Sequence, residues 1–287
     1  MGKIGIIGGS GIYKMENIGS LKEVRVKTPF GEPSDAFRVG EIDGTKVVFL
    51  PRHGRDHSIS PSEINYRANI FGMKKLGVDR LVSVSACGSL KKELKPLDFV
   101  LPDQFVDRTN SGRKMTFFEG GVVVHVGFAQ PVCPELTRSI YETGKSLGLT
   151  MHKGGTYLNM EGPAFSTKAE SLLYRSWGMD IIGMTNMAEA RLAREAEMCY
   201  ATLAAITDYD CWYESEEPVT VDMVIANLTR NAENSKKLMK EVIGRLGTAP
   251  GGCACGDALK YAIVTDKKAV SAKVKKDLSP IIGKYMR

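Results

Sequence analysis

Apolar residues run unbroken through KIGII (3–7) and stop at Gly8, Gly9, Ser10 and Gly11, the pattern of a buried strand ending in a glycine-rich turn. Apolar and polar positions then alternate in KEVRVKT (22–28), AFRVGEI (36–42) and KVVFLP (46–51), separated by Gly- and Pro-bearing turns, so a set of adjacent strands is predicted. The period changes after residue 59. Ser60 as N-cap, Pro61 at the first helical position and an inward stripe of Ile64, Ala68, Phe71 and Leu76 predict a helix. RLVSVSA (80–86) predicts a buried strand closing in Cys87-Gly88, with further strands at 98–102, 122–127, 156–160, 179–184 and 200–207. Apolar residues three or four apart predict helices over 134–147, 167–177, 188–197 and 220–246. Strands and helices interleaved in this order imply an α/β fold with a central mixed sheet flanked by helices. There is no internal repeat or low-complexity linker. The one break in composition, TAPGGCACGD (248–257), predicts a hinge before a short C-terminal helix or tail.

With 287 residues, 43 % of them hydrophobic, the chain has apolar material for one sizeable core, and residues 1–287 are read as one domain. Lys and Arg number 39 against 33 Asp and Glu, but the basic residues are scattered, apart from the tail between Lys267 and Lys276. A nucleic-acid surface would need a basic stripe interleaved with aromatics, so no nucleic-acid partner is expected. The modest excess suits a small anionic ligand and is equally common in proteins that bind none. The chain enters its first strand with no basic leader and long apolar stretch, and no run approaches a membrane span, so neither a secretion signal nor a membrane partner is expected. Cys87, Cys133, Cys199 and Cys211 each sit alone in apolar or mixed segments, where a buried reduced thiol is the default, and this points to the cytoplasm. Cys253 and Cys255 flank Ala254 in the Gly-rich turn. A metal clip there would need two further Cys or His nearby; the neighbouring sequence offers none, and no metal is expected.

Candidate chemistry collects where predicted strands end, which in open α/β sheets is where ligands bind. In GIIGGSGI (5–12) backbone N–H groups and the Ser10 hydroxyl could cradle a phosphate; a glycine turn with no ligand is as good a reading. The dinucleotide fingerprint fails there, because Lys14 stands where its third glycine belongs. PRHGR (51–55) brings Arg52, whose planar fork matches phosphate oxygens, and His53, a further donor, although a solvated basic loop explains the segment equally. SACGS (85–89) carries small residues that let backbone amides approach a ligand. GMTNMAEA (183–190) puts Thr185 at the start of a helix, as an anion site or simply an N-cap. In ITDYDCW (206–212) Asp208 and Asp210 flank a tyrosine at the end of an apolar strand, where a buried acid must be paired or functional; solvated turn acids are the plain alternative.

Taken together, GIIGGSGIY, LPRHGR, VSACGSL, NMEGPAFSTKAES and MCYATLAAITDYDCW resemble the methylthioadenosine phosphorylase branch of the trimeric nucleoside phosphorylases, over residues 3 to 245. The combination is specific, although each block alone is not. The resemblance implies a pentosyltransferase that cleaves 5'-methylthioadenosine with inorganic phosphate, giving adenine and 5-methylthioribose 1-phosphate, in a homotrimer or a hexamer made of two trimers. It implies that Ser10, Arg52, His53, Ser85, the Ala86 amide and Thr185 hold phosphate. Met184 would lie against the ribose, Phe165 against the purine, and His125 and Val221 beside the 5'-methylthio group, with Asp208 and Asp210 facing the edge of the base. MTNMAE departs from the family's more usual MTTVPE at Asn186, Met187 and Ala188, next to the ribose site. The tail after 247 is similar to that of relatives from heat-loving archaea and bacteria, in which the pair matching Cys253 and Cys255 can be a disulfide.

In the implied reaction, breaking C1'–N9 leaves electron density on the purine and positive charge on the sugar. Asp208 is then the candidate general acid at N7, a role worth about 10²–10⁴-fold, provided a dry, apolar pocket raises its pKa. No metal or organic cofactor is needed, phosphate being a co-substrate. The 6-oxopurine enzymes that the chain resembles carry Glu at the position of Ser166 and Asn at that of Asp208, and both differences favour adenine. Two readings compete: a phosphorylase of broader range that also accepts adenosine, inosine or methylthioinosine, and a hydrolytic nucleosidase with no use for Arg52 and Thr185. A redox or nucleotide-binding protein built on GIIGGSGI is disfavoured by the failed fingerprint.

Overall fold

The computed structural model describes residues 2–9, 21–214, 221–248 and 252–286; Ser10 and the side chain of Val221 lie outside what is described. The strands among these residues are β1 (Lys3–Gly8), β2 (Lys22–Val24), β3 (Phe37–Ile42), β4 (Thr45–Pro51), β5 (Val78–Ser89), β6 (Phe99–Leu101), β7 (Gln104–Arg108), β8 (Met151–Lys153), β9 (Thr156–Met160), β10 (Ile181–Gly183) and β11 (Cys199–Tyr209). The helices are α1 (Tyr66–Lys75), α2 (Pro134–Ser146), α3 (Lys168–Ser176), α4 (Asn186–Glu195), α5 (Val221–Thr248), α6 (Ala272–Asp277) and α7 (Ser279–Ile282).

The longest apolar runs, β4, β1, β5 and β11, lie side by side in parallel. Both faces of this ribbon are covered, which is why these strands read as continuous apolar runs and not as alternations. Ile7, Val48, Leu50 and Leu81 pack with the apolar residues of α1, α4 and α7. Ile4, Ile6, Val47, Phe49, Val82 and Leu203 pack on the other face with Leu136 and Ile140 of α2 and Leu238, Val242 and Ile243 of α5. The sheet forks at β5. Arg80 to Ser89 run beside β11, while Gly88 and Ser89 also pair antiparallel with β10, which continues to β9 and β7. β11 continues through an antiparallel β6 to β8. The result is the expected α/β fold with a mixed central sheet.

Three sequence expectations need correction. The first helix starts at Tyr66, not Pro61: Asn65 caps it by accepting from the Ala68 amide at 3.1 Å. Ser60 gives both its N–H and its hydroxyl to Glu63 Oε2, closing a separate turn ahead of the helix. Residues 122–127 form no strand beyond one bridge, Val124 to Ile263, because the C-terminal tail ties them down through His125 N–H to the Ala262 carbonyl and Val123 N–H to Thr265. The third correction concerns the cysteines. All six are free thiols, so Cys253 and Cys255 are not joined to each other. The short 3₁₀ turn Ala254–Asp257 carries them against Cys199, at the start of β11, and Cys133, at the N-cap of α2, with all four Sγ atoms within 4.8 Å of one another. The partners absent from the neighbouring sequence are supplied by distant segments. No helix among the described residues is long and apolar enough to cross a membrane.

Candidate active site

Strand register aligns the predicted chemistry along one edge of the sheet. Gly8 at the end of β1 stands opposite Pro51 and Val84, Ala205 stands opposite Ala86, and Asp208 stands opposite Gly88. A shift in register between Ile206 and Asp208 marks a bulge, a device that re-aims side chains at the end of a strand. A cavity of about 660 Å³ opens at this edge, within the size range of small-molecule sites. Arg52, His53, Ser85, Ala86, Phe165, Met184, Thr185, Asp208 and Asp210 all line it. Ser166 and His125 do not. Ser166 directs its hydroxyl to Met160 Sδ at 3.8 Å, and His125 is exposed on the segment held by the tail.

Arg52 differs from expectation. It is 2 % exposed, and the fork expected to meet phosphate meets Glu189 instead, Nε at 2.5 Å from Oε1 and Nη2 at 3.2 Å from Oε2. Nη2 also donates to Ser83 Oγ at 2.5 Å and Nη1 to the Val84 carbonyl at 3.3 Å. Ser83 and Tyr200 hydroxyls donate to Glu189 Oε2. Asn186 completes this wall: its amide donates toward Ser83, Tyr200 and Thr202, and its Oδ1 accepts from Ser85 and Thr185. The departure from the family pattern at Asn186 therefore faces the interior, where it orients two expected phosphate ligands, and not the ribose. Thr185 occupies the N-cap position of α4 but makes no side-chain cap.

His53 also changes role. Burial, then the nearby Arg52 charge, pushes its imidazole down to about 4, so the ring is neutral at physiological pH. Its Nδ1 lies 2.8 Å from the Ile59 carbonyl, which can only accept, so Nδ1 carries the proton and Nε2 is an acceptor, not the donor the sequence suggested.

The carboxylates at the other end are held by their surroundings. The Asp210 amide donates to the Ser89 carbonyl, and Trp212 Nε1 donates to the same oxygen at 2.8 Å with the Arg175 guanidinium over its ring. Burial raises the Asp208 carboxyl above the ordinary range; the Thr207 hydroxyl, donating at 2.7 Å, opposes this and the Asp210 charge adds to it. Asp210 Oδ2 is buried with no hydrogen-bond partner among the described residues, as is Asn231 Oδ1 from α5. Gly88 leaves room for this arrangement, since a Cβ there would stand 3.3 Å from Asp208 Oδ1 and 3.1 Å from Ile182.

Sequence reasoning placed Val221 of α5 at the site but missed Glu189 and the 227–235 stretch of that helix. Asn227 and Asn231 donate to the carbonyls of Thr207 and Ile206, fastening α5 to the tip of β11, and Leu228, Asn231 and Ser235 line the cavity. Glu189 had a signal: an acid set among alanines in MAEA on a helix face that is otherwise small and apolar.

A sheet edge that brings an anion-sized cradle of hydroxyls and amides within one cavity of a protonatable carboxyl is built for group transfer to an anion. The chain belongs to the phosphorylase superfamily, whose family model matches residues 3–244. It is 54 % identical over 283 residues, 99 % of both chains, to the S-methyl-5'-thioadenosine phosphorylase of Geobacter sulfurreducens. To that of Thermosynechococcus vestitus it is 54 % identical over 287 residues, again 99 % of both. Among solved structures, a methylthioadenosine phosphorylase from an Antarctic soil metagenomic library matches with a TM-score of 0.93 at 46 % identity over 98 % of each chain. The Schistosoma mansoni methylthioadenosine phosphorylase in complex with tubercidin matches with a TM-score of 0.85 at 31 % identity, over 93 % of this chain and 100 % of that one.

Proposed function

We propose that the protein catalyses phosphorolysis of 5'-methylthioadenosine to adenine and 5-methylthioribose 1-phosphate. The observation that carries the reading is Asp208, a carboxyl raised by burial at a bulged strand end, in the same cavity as Ser85, the Ala86 amide and Thr185. In this reaction C1'–N9 breaks and a C1'–O bond to phosphate forms. Asp208 gives its proton to N7 as the base leaves, and the proton of hydrogen phosphate restores it. The neutral His53 suits that co-substrate, because its Nε2 can accept from the one protonated phosphate oxygen. Arg52, ion-paired to Glu189, stiffens the cradle from behind. The reaction as written uses no metal or organic cofactor.

Base choice rests on Asp208 and Asp210, both on the cavity, and not on Ser166, which is off it. The 5'-methylthio role implied for His125 requires a second copy, since His125 is exposed and outside its own chain's cavity, in keeping with the homotrimer or hexamer of two trimers that the family resemblance implies. Six free thiols favour the cytoplasm. Initial rates with and without phosphate, on methylthioadenosine, adenosine, inosine and methylthioinosine, test the reading. Phosphate-dependent release of adenine with methylthioadenosine preferred is expected; equal rates without phosphate would make the protein a hydrolase. Sedimentation tests the assembly, and mixing Asp208→Asn with His125→Ala subunits should regain activity if one site draws on two copies.

A further inference from the structure

At the opposite end of β11 from Asp208 lies a cluster that this chemistry does not use. Cys133, Cys199, Cys253 and Cys255 come from three separate parts of the chain, yet their Sγ atoms all lie within 4.8 Å of one another, Cys199 and Cys253 at 3.1 Å. Backbone structure holds each in place. The Cys133 amide donates to the Tyr200 carbonyl at 2.8 Å, Cys199 is registered against Arg80 of β5, and Cys253 and Cys255 stand either side of the first residue of the 3₁₀ turn. Cys133 and Cys255 are buried, the other two half-buried. A tetrahedral tetrathiolate with metal–sulfur bonds of about 2.3 Å has sulfurs about 3.8 Å apart, inside the spread observed.

We propose that these four cysteines form a structural site for a thiophilic divalent cation, Zn²⁺. Four S–H protons pass to solvent as the ion binds, and all four positions are then filled by thiolate, which leaves none for substrate and makes the site structural. The nine steps of β11 from Cys199 separate it from Asp208 by roughly 30 Å. Its work is to fasten the tail. The residues after Cys255 bury Leu259, Val270, Leu278, Ile281 and Ile282 in the core on the α1 face, and they bind the 122–126 segment through Ala262, Ile263 and Thr265. The ion would anchor that layer to α2 and β11 at the point where the tail leaves α5.

The test is metal analysis of the purified protein by mass spectrometry, without chelator, together with Co²⁺ substitution. The expected result is about one Zn²⁺ per chain, released stoichiometrically when a mercurial titrates the thiols, and the intense visible bands of tetrahedral cobalt thiolate after exchange. Cys255→Ser should lose the metal and lower the Tm by roughly 5–10 °C, with the rate on methylthioadenosine at 25 °C unchanged within about twofold. The wild-type measurement stands even if the variant fails to fold. Metal-free native protein overturns the proposal, whether its four cysteines are titratable thiols or its mass is four hydrogens lighter, as two disulfides would make it. So does bound metal that Cys255→Ser leaves in place.

Discussion

Two polar regions meet at the tips of the central strands, and they are built on opposite terms. Behind the cavity, Arg52, Glu189, Ser83, Asn186, Tyr200 and Thr202 answer one another, the ion pair at 2.5 Å closed by two further hydroxyls on the carboxylate. In front of it, among the described residues, Asp208 has a single donor in Thr207, while Asp210 Oδ2 and Asn231 Oδ1 are buried without partners. A buried polar group left without a partner costs about 1–3 kcal/mol, so the front is an expensive arrangement that the fold alone does not repay. We read the satisfied Arg52–Glu189 wall as scaffold, and the unpartnered atoms on the cavity, Asp210 Oδ2 and Asn231 Oδ1, as facing the ligand. The sequence does not separate the two kinds, since Arg52 and Asp208 both stand at strand ends.

The largest effect tests the front. Asp208→Asn keeps the shape and removes the proton, so activity on methylthioadenosine should fall by about 10²–10⁴-fold, and the preference for adenine over hypoxanthine nucleosides should shrink by roughly ten- to a hundredfold. Stability should not fall with it. The folded-state pKa of Asp208 is raised, so the unfolded chain ionises first and stability declines as pH climbs from the ordinary aspartate value of 3.8 through the folded pKa. The Asn variant escapes that decline and should match or exceed the parent in urea titrations at pH 7. The same proton governs the rate, which should drop on the alkaline side as Asp208 ionises. A variant with full activity, or one that unfolds, would move Asp208 to the scaffold.

Removing a partner from the wall should have the converse signature. Arg52→Ala leaves Glu189 buried and unpaired, and Glu189→Ala strands Arg52; each should cost about 3–5 kcal/mol of stability. If Arg52→Ala leaves the denaturation midpoint unchanged and raises only the KM for phosphate, Arg52 is a ligand and the division drawn here fails at that residue.

Glu195, at the far end of α4, offers an intermediate case. It accepts from the Thr116 hydroxyl and the Phe117 amide, both at 2.7 Å, and burial pushes it up to about 7 against those bonds and the Arg191 charge; among the described residues it makes no ion pair like that of Glu189. Below pH 4.5 the carboxyl is protonated in both states. Between 4.5 and 7 the unfolded chain ionises first and stability falls, by as much as about 3 kcal/mol. Glu195→Gln should flatten that slope, which urea midpoints at pH 4.5, 6 and 8 would measure; an unchanged slope would assign the loss to other groups.

The strand tips were legible because their apolar runs end in small residues, and Asp208 and Asp210 because acids that prolong an apolar strand are conspicuous. Glu189 was not, since an acid in a helix is ordinarily solvated, and only the flanking alanines hinted otherwise. The start of α1 misled because Ser60-Pro61 has the form of a cap while Asn65 does the capping. β7 and β8 are short strands away from the central ribbon, with little apolar signal. The cysteine cluster and the position of His125 depend on where the tail returns, a long-range matter that spacing along the chain does not encode.

The smallest effect comes from Ser166, a residue that the family resemblance places at the base and the structure places off the cavity. Its hydroxyl makes one weak contact, 3.8 Å to Met160 Sδ, and its carbonyl accepts from the Cys211 thiol at 3.3 Å, a bond that alanine would keep. Deleting the hydroxyl breaks no satisfied network and exposes no buried charge, so Ser166→Ala should change stability by less than about 0.5 kcal/mol. Discrimination needs a group that pairs with one base and is left unpaired by the other. Asp208 and Asp210 can do that from the cavity wall, and Ser166 from its position off the wall cannot. The ratio of rates on methylthioadenosine and methylthioinosine should therefore stay within about twofold of the parent in Ser166→Ala, against the ten- to hundredfold shift in Asp208→Asn. A large loss of discrimination in Ser166→Ala would mean that the loop carrying it, with Phe165 82 % exposed beside it, folds onto the base when substrate binds, and that the front of the site is completed by closure and not preformed.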